Sequence, residues 1–218
     1  MKKDSNLDDA TIEVLLVGPS FSLIGNCLCL DFANTADWHA RARPVELLTD
    51  YFRLLSWAKQ ARILNQREAL EMARWAKLRP SAARAALARA VSLRETVYRL
   101  FSAVAAGRQT LPDDLAAFNL RWCELSSRSE LIRAGDRFKW HWTGDNKRLD
   151  SLLWPIAKSV AELLVSNELD RVRECQGEGC GWLFLDTSRN HLRVWCHMAA
   201  CGNRAKARRF YERNKVQL

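Results

Sequence analysis

Four cysteines near the end of the chain carry its clearest chemistry. They run Cys175-x4-Cys180-Gly181 and Cys196-x4-Cys201-Gly202, with fifteen residues separating Cys180 from Cys196. The segments CQGEGCG and CHMAACG share one spacing and are offset by 21 residues. Two thiolate pairs closed by Cys-Gly turns make two jaws of one tetrahedral site, and Zn²⁺ favours such a closed four-thiolate shell. The spacing therefore predicts one structural zinc on Cys175, Cys180, Cys196 and Cys201. Iron in a thiolate shell, two disulfides and four unrelated buried thiols are the other readings open to this pattern. A catalytic zinc keeps one position for water, and four cysteines leave none, which argues against hydrolysis at the metal. A knuckle turns sharply after its second cysteine, so Gly181 and Gly202 are expected to supply positive φ. Gly177 and Gly179 loosen the first jaw. His191 and His197 are read as surface or supporting residues.

Charge gathers around these cysteines. Residues 171–218 hold ten Lys/Arg against four acids, a net +6 out of +9 for the 218-residue chain. A local basic excess is the electrostatic footprint of a nucleic-acid binder, although it also suits a solvated face. Arg204 to Lys215 is predicted to be a helix, with Asn203 as its N-cap. Its stripe of Arg204, Arg208, Tyr211 and Lys215 follows i, i+4, i+7, i+11 spacing, and Phe210 is expected to pack on the module. The candidate phosphate and base contacts are Arg189, Arg193, Arg204, Lys206, Arg208, Arg209 and Lys215.

The elements that must position this site are mainly helical. Apolar spacing predicts helices over Val45–Lys59, Gln66–Leu78, Ser81 to about Ala106, a segment ending near Leu125, and Leu149 to about Leu169. Phe138, Trp140 and Trp142 alternate, and Gly135-Asp136 makes a turn, so Leu131–Thr143 is predicted to be a β-hairpin, followed by a loop over Gly144–Asn146. Trp182–Leu185 is predicted to be a strand. The fold class is mainly α with a small β-hairpin (α+β). A polar leader spans 1–20, a helical domain 21–169, and a treble-clef- or ribbon-like zinc module ending in a helix 170–218. A module this small buries too little apolar surface to hold itself together well, so zinc would supply much of its stability. The N-terminus lacks a signal-like apolar run and no stretch reaches membrane-span length, which predicts a cytoplasmic protein whose thiols stay reduced.

The residues of the module resemble a known family. CGWLFLD over 180–186, SRN over 188–190 and WCHMAACGNRAK over 195–206 look like the CGNR zinc finger, with Cys201-Gly202-Asn203-Arg204 intact. LCLDFANT over 28–35 is similar to the opening of the ABATE domain, which precedes that finger in stress-induced bacterial transcription regulators. The resemblance implies zinc on the four cysteines and DNA as the finger's partner.

Upstream, Asp31, Asn34 and Thr35 are polar residues in an apolar segment. They are candidates for a small-molecule effector pocket, or alternatively for tying buried backbone. Cys27, Cys29 and Cys123 read as core thiols. No nucleophile triad, phosphate-cradling glycine loop or HExxH pattern occurs, so no enzyme is expected. The leading expectation is a zinc-finger protein that binds duplex DNA and regulates transcription, with an N-terminal sensing or assembly domain. A single module spans few base pairs, which favours a homodimer, a partner or DNA-shape recognition. The alternative is an RNA- or protein-binding adaptor in which zinc is purely structural.

Overall fold

The computed structural model describes residue 14 and residues 16–143 and 148–215. Most of the polar leader and the loop over Gly144–Asn146 lie outside the described residues. The described chain divides into two compact units. One gathers residues up to Phe21, Leu48–Leu93 and Ala116–Lys158; the other gathers Ser22–Leu47, Arg94–Leu115 and the chain from Ser159 onward.

The first unit is helical with one hairpin. Short helix α1 (Leu28–Ala33) belongs to the other unit, so the first contains α2 (Tyr51–Gln60) and α3 (Gln66–Leu78). The Asp50 side chain accepts the Arg53 amide and caps α2. Asn65 and Glu68 form a reciprocal capping box at α3. Leu54, Leu55, Trp57 and Ala58 of α2 are buried, as are Ala69, Met72, Ala73 and Ala76 of α3. Small residues on α3 allow the two helices to pack against each other. Helices α4 (Pro80–Ala105), α5 (Pro112–Ser126) and α6 (Leu153–Leu164) each contribute to both units. Pro155 sits in the first turn of α6, where its missing N–H has no helical partner to lose. Strands β3 (Ser129–Ala134) and β4 (Arg137–Trp142), numbered after the β1–β2 pair described below, form the predicted hairpin about Gly135, which has φ +63. Trp140 and Trp142 both pack near Trp154. Cys123 is exposed on α5, contrary to the core position expected for it.

The second unit carries the four clustered cysteines. It holds α1, a two-residue antiparallel pair of β1 (Ala36–Asp37) and β2 (Val45–Glu46), and the pair β5 (Val172–Glu174) and β6 (Leu183–Leu185). Helix α7 (Asn203–Lys215) ends the described chain. The predicted start of the second helix at Val45 is corrected, because residues 45–46 are drawn into pairing with Ala36–Asp37. The helix expected to run to about Leu169 stops at Leu164, and a short 3₁₀ turn over Leu169–Arg171 leads into β5. Strand β5 goes unnoticed in the sequence: its residues are Val-Arg-Glu, and only pairing with the buried Leu-Phe-Leu of β6 makes it a strand.

Candidate metal centre and basic face

Strands β5 and β6 bring the first jaw together. Cys175 follows β5 directly, and its N–H donates to the Trp182 carbonyl at 2.8 Å, so the ladder continues into the knuckle. Gly181 has φ +70, as expected. A Cβ there would lie 2.6 Å from the Ala40 nitrogen and 2.8 Å from the Tyr98 hydroxyl. Gly202 is needed for a different reason. Its φ lies outside the left-handed region, but a Cβ would lie 2.3 Å from the Met198 sulfur. At Gly177 a Cβ would stand 2.9 Å from the Cys201 sulfur, so this glycine lets backbone approach the metal site rather than merely loosening it.

The four cysteine sulfurs lie within 4.8 Å of one another, and all four residues are buried. Cys180 Sγ is 3.7 Å from Cys196 Sγ, which is 3.6 Å from Cys201 Sγ. With Zn–S bonds of about 2.3 Å, sulfurs at tetrahedral corners stand about 3.8 Å apart. The donor set, its spacing and its closure by Phe184, Trp182, Trp195 and Ile24 fit one zinc. All four cysteines are free thiols, with no disulfide among them. Hydrogen bonds from Cys180 and Cys196 pull the Cys175 thiol far below its usual range, and the same hydrogen bonds, with burial, push the Cys180 and Cys196 thiols up. Zinc must displace those remaining protons as it binds.

Buried polar groups brace this cluster. Asp186 has no exposed surface and accepts the Ser188 hydroxyl at 2.5 Å and the backbone N–H groups of Ser188 and Arg193 at 2.9 Å each. Burial pushes its carboxyl up, but these hydrogen bonds outweigh that and hold it below the usual range. Arg193 turns inward over the Phe184 ring and donates to the carbonyls of Trp195 and Cys196. The Cys180 carbonyl accepts the His39 N–H at 3.0 Å. His39 stacks on Tyr98 at 3.6 Å and meets Glu95 at 3.0 Å. The Tyr98 and Ser102 hydroxyls both donate to Glu174, the residue before the first ligand. Arg94, almost fully buried, makes a bidentate pair with Glu46 at 2.6 and 2.7 Å. Sequence reasoning missed this group because His39, Glu46, Arg94, Glu95, Tyr98 and Ser102 lie far from the four finger cysteines along the chain.

Asp31, Asn34 and Thr35 contact backbone. The Asn34 amide donates to the Leu183 carbonyl and accepts the Leu183 N–H, both at 2.8 Å, and so completes the hydrogen bonding of β6. The Thr35 hydroxyl donates to the Phe32 carbonyl, and Asp31 accepts the Gly25 N–H. Burial raises the Asp31 carboxyl to about 6 despite that bond.

The basic residues divide into two groups. Arg204 donates to Cys201 Sγ at 3.1 Å and lies 4.6 Å over the Trp38 ring, which also carries Arg41 at 3.8 Å. Arg208 pairs with Glu178 and approaches Glu212. Trp38, Arg41, Arg204, Arg208, Gly177 and Gly179 line a recess of about 460 Å³ beside the metal centre. Arg189 is exposed on the connection between the jaws. On α7, Lys206, Arg209 and Arg213 are exposed alongside Phe210 and Tyr211. Phe210 is 55% exposed, which corrects its expected packing on the module. Asn203 is helical, at φ −68 and ψ −39, and its amide donates to the Ala199 carbonyl, so it is no N-cap. A wide π-type turn over Met198–Gly202 feeds straight into α7, and extended His197 precedes that turn.

Among the described residues, no helix is long and apolar enough to cross a membrane. No curated protein matches the chain. Two family models do: residues 26–167 match ABATE, described as "Putative stress-induced transcription regulator", and residues 171–214 match the CGNR zinc finger. Together with the four-cysteine centre in the second match, these place the chain in the ABATE family, whose model carries that description, with a CGNR zinc finger over residues 171–214.

Proposed function

We propose that the protein regulates transcription by binding duplex DNA through its zinc finger, and that it is not an enzyme. The observation that carries this reading is the exposed, strongly cationic α7, whose first residues run on from the metal knuckle. A metal-pinned helix presents its cations in a fixed array, and phosphate neutralisation needs such an array. Zinc is structural here, because four thiolates complete its shell. The division of labour differs from the simple i, i+4 stripe. Arg204 and Arg193 serve the metal site, Arg208 is partly neutralised by Glu178, and Lys206, Arg209 and Arg213 face outward to contact phosphates. Arg189 and Lys215 remain candidates for flanking contacts.

Selection of bound duplexes from a random DNA pool by the zinc-loaded protein tests this. Enrichment of a defined motif is expected, and a palindromic one would add a homodimer. A clear preference for structured RNA, with no enriched DNA motif, would replace the regulator with an RNA-binding adaptor.

A further inference from the structure

Two cysteines meet each other outside the metal centre. Cys27 is half-buried and Cys29 is fully buried. Cys27 precedes α1 in an extended conformation, φ −153 and ψ 137, which sets its side chain over the first turn. Its sulfur lies 3.6 Å from Cys29 Sγ. Ser159 bridges the two residues. Its hydroxyl oxygen accepts the Cys29 N–H at 3.2 Å and stands 3.4 Å from Cys27 Sγ. The two thiols are unequal. A hydrogen bond from Cys29 lowers Cys27 to about 6, while burial raises Cys29 well above the usual thiol range. The half-buried Cys27 therefore has the more acidic thiol of the two.

We propose that Cys27 and Cys29 form a redox-active dithiol that hydrogen peroxide closes to a disulfide, at a site separate from the zinc thiolates. The Cys27 thiolate attacks one peroxide oxygen, the O–O bond breaks, and hydroxide leaves, giving a sulfenic acid at Cys27. The Cys29 sulfur then attacks the Cys27 sulfur. The S–S bond forms, the S–O bond breaks, and water leaves with the Cys29 proton. Peroxide takes up the two electrons lost by the thiols. The sulfurs must close from 3.6 Å to about 2.04 Å, and a bridge across one intervening residue is strained and readily reduced. The neighbouring residues hold β6: the Leu185 N–H donates to the Gly25 carbonyl, and the Asn26 amide donates to the Leu185 carbonyl. Closing the dithiol therefore acts on the segment that supports the metal module.

The test is thiol mapping of the zinc-loaded full chain exposed to limiting hydrogen peroxide, then blocked with a maleimide and digested. The peptide bearing Cys27 and Cys29 should escape labelling and lack two hydrogens, and dithiothreitol should restore it. It should form at least about tenfold faster than the exposed Cys123 is consumed, and before zinc reaches a chromogenic chelator. In Cys29→Ser, the Cys27 sulfenic acid should persist and react with dimedone. Full labelling of both residues after Cys123 or the finger thiols have oxidised would overturn the proposal. So would direct conversion of Cys27 to sulfinic acid in the wild-type chain. Either result comes from the wild-type protein and needs no variant to fold.

Discussion

A few residues decide how the metal module holds together. Arg204 lies one turn beyond Cys201 and places its guanidinium on that sulfur, so it neutralises thiolate charge as well as adding to the basic helix. Groups that support metal ligands typically contribute about 10–100-fold in affinity. Arg204→Ala should weaken zinc binding by about tenfold in a chelator competition, whereas Arg209→Ala should leave it unchanged. Gly181 and Gly202 provide a second contrast. Gly181→Ala combines a positive φ with a clash against backbone and should lower stability by about 3 kcal/mol in urea unfolding. Gly202→Ala meets a movable methionine side chain first and should lose less. Asp31 supplies a pH signature. Its folded pKa of about 6 lies above the ordinary 3.8, so the folded state binds the extra proton between those values. Stability from this group is present at low pH and falls as pH rises through about 6. Asp31→Asn keeps an oxygen for the Gly25 amide and removes the charge. At pH 7 it should be more stable than wild type by about 1–2 kcal/mol, and the difference should vanish near pH 4.

At the scale of elements, local signals were legible and long-range ones were not. Helix α3 follows its predicted bounds because Asn65-x-x-Glu68 opens it and Pro80 stands just beyond its end. The hairpin is equally local, with alternating aromatics about a glycine turn. The late start of α2 and the presence of β5 depend on partners elsewhere, Ala36–Asp37 for one and Leu183–Leu185 for the other. The four cysteines could be read from spacing alone, since a tetrahedral shell dictates their type and number. The roles of Arg193, Arg204 and Trp38 could not, because side-chain direction in the knuckle is set only once the chain has folded. Asn203 shows the same limit. It has the right residue type for a cap, but the π-type turn already occupies the position before it, so the helix needs no cap there.

For the whole molecule, the uneven charge and the metal act together. The basic excess lies on the segment that the zinc site organises, so losing the metal should remove the ordered cation array and not merely one bound ion. Binding a structural zinc is worth about 10–16 kcal/mol in small fingers, enough to decide whether such a module folds. The proposed function puts the outward-facing cations of metal-pinned α7 on DNA phosphates. Its most direct test is fluorescence anisotropy of zinc-loaded protein on duplex DNA across a salt series, comparing wild type with Lys206→Ala/Arg209→Ala/Arg213→Ala. Each lost phosphate contact lowers the slope of log affinity against log salt by about 0.9. Weaker binding and a slope shallower by about 2–3 are expected in a variant that still binds one zinc. An unchanged affinity and slope in that folded, zinc-loaded variant would contradict it.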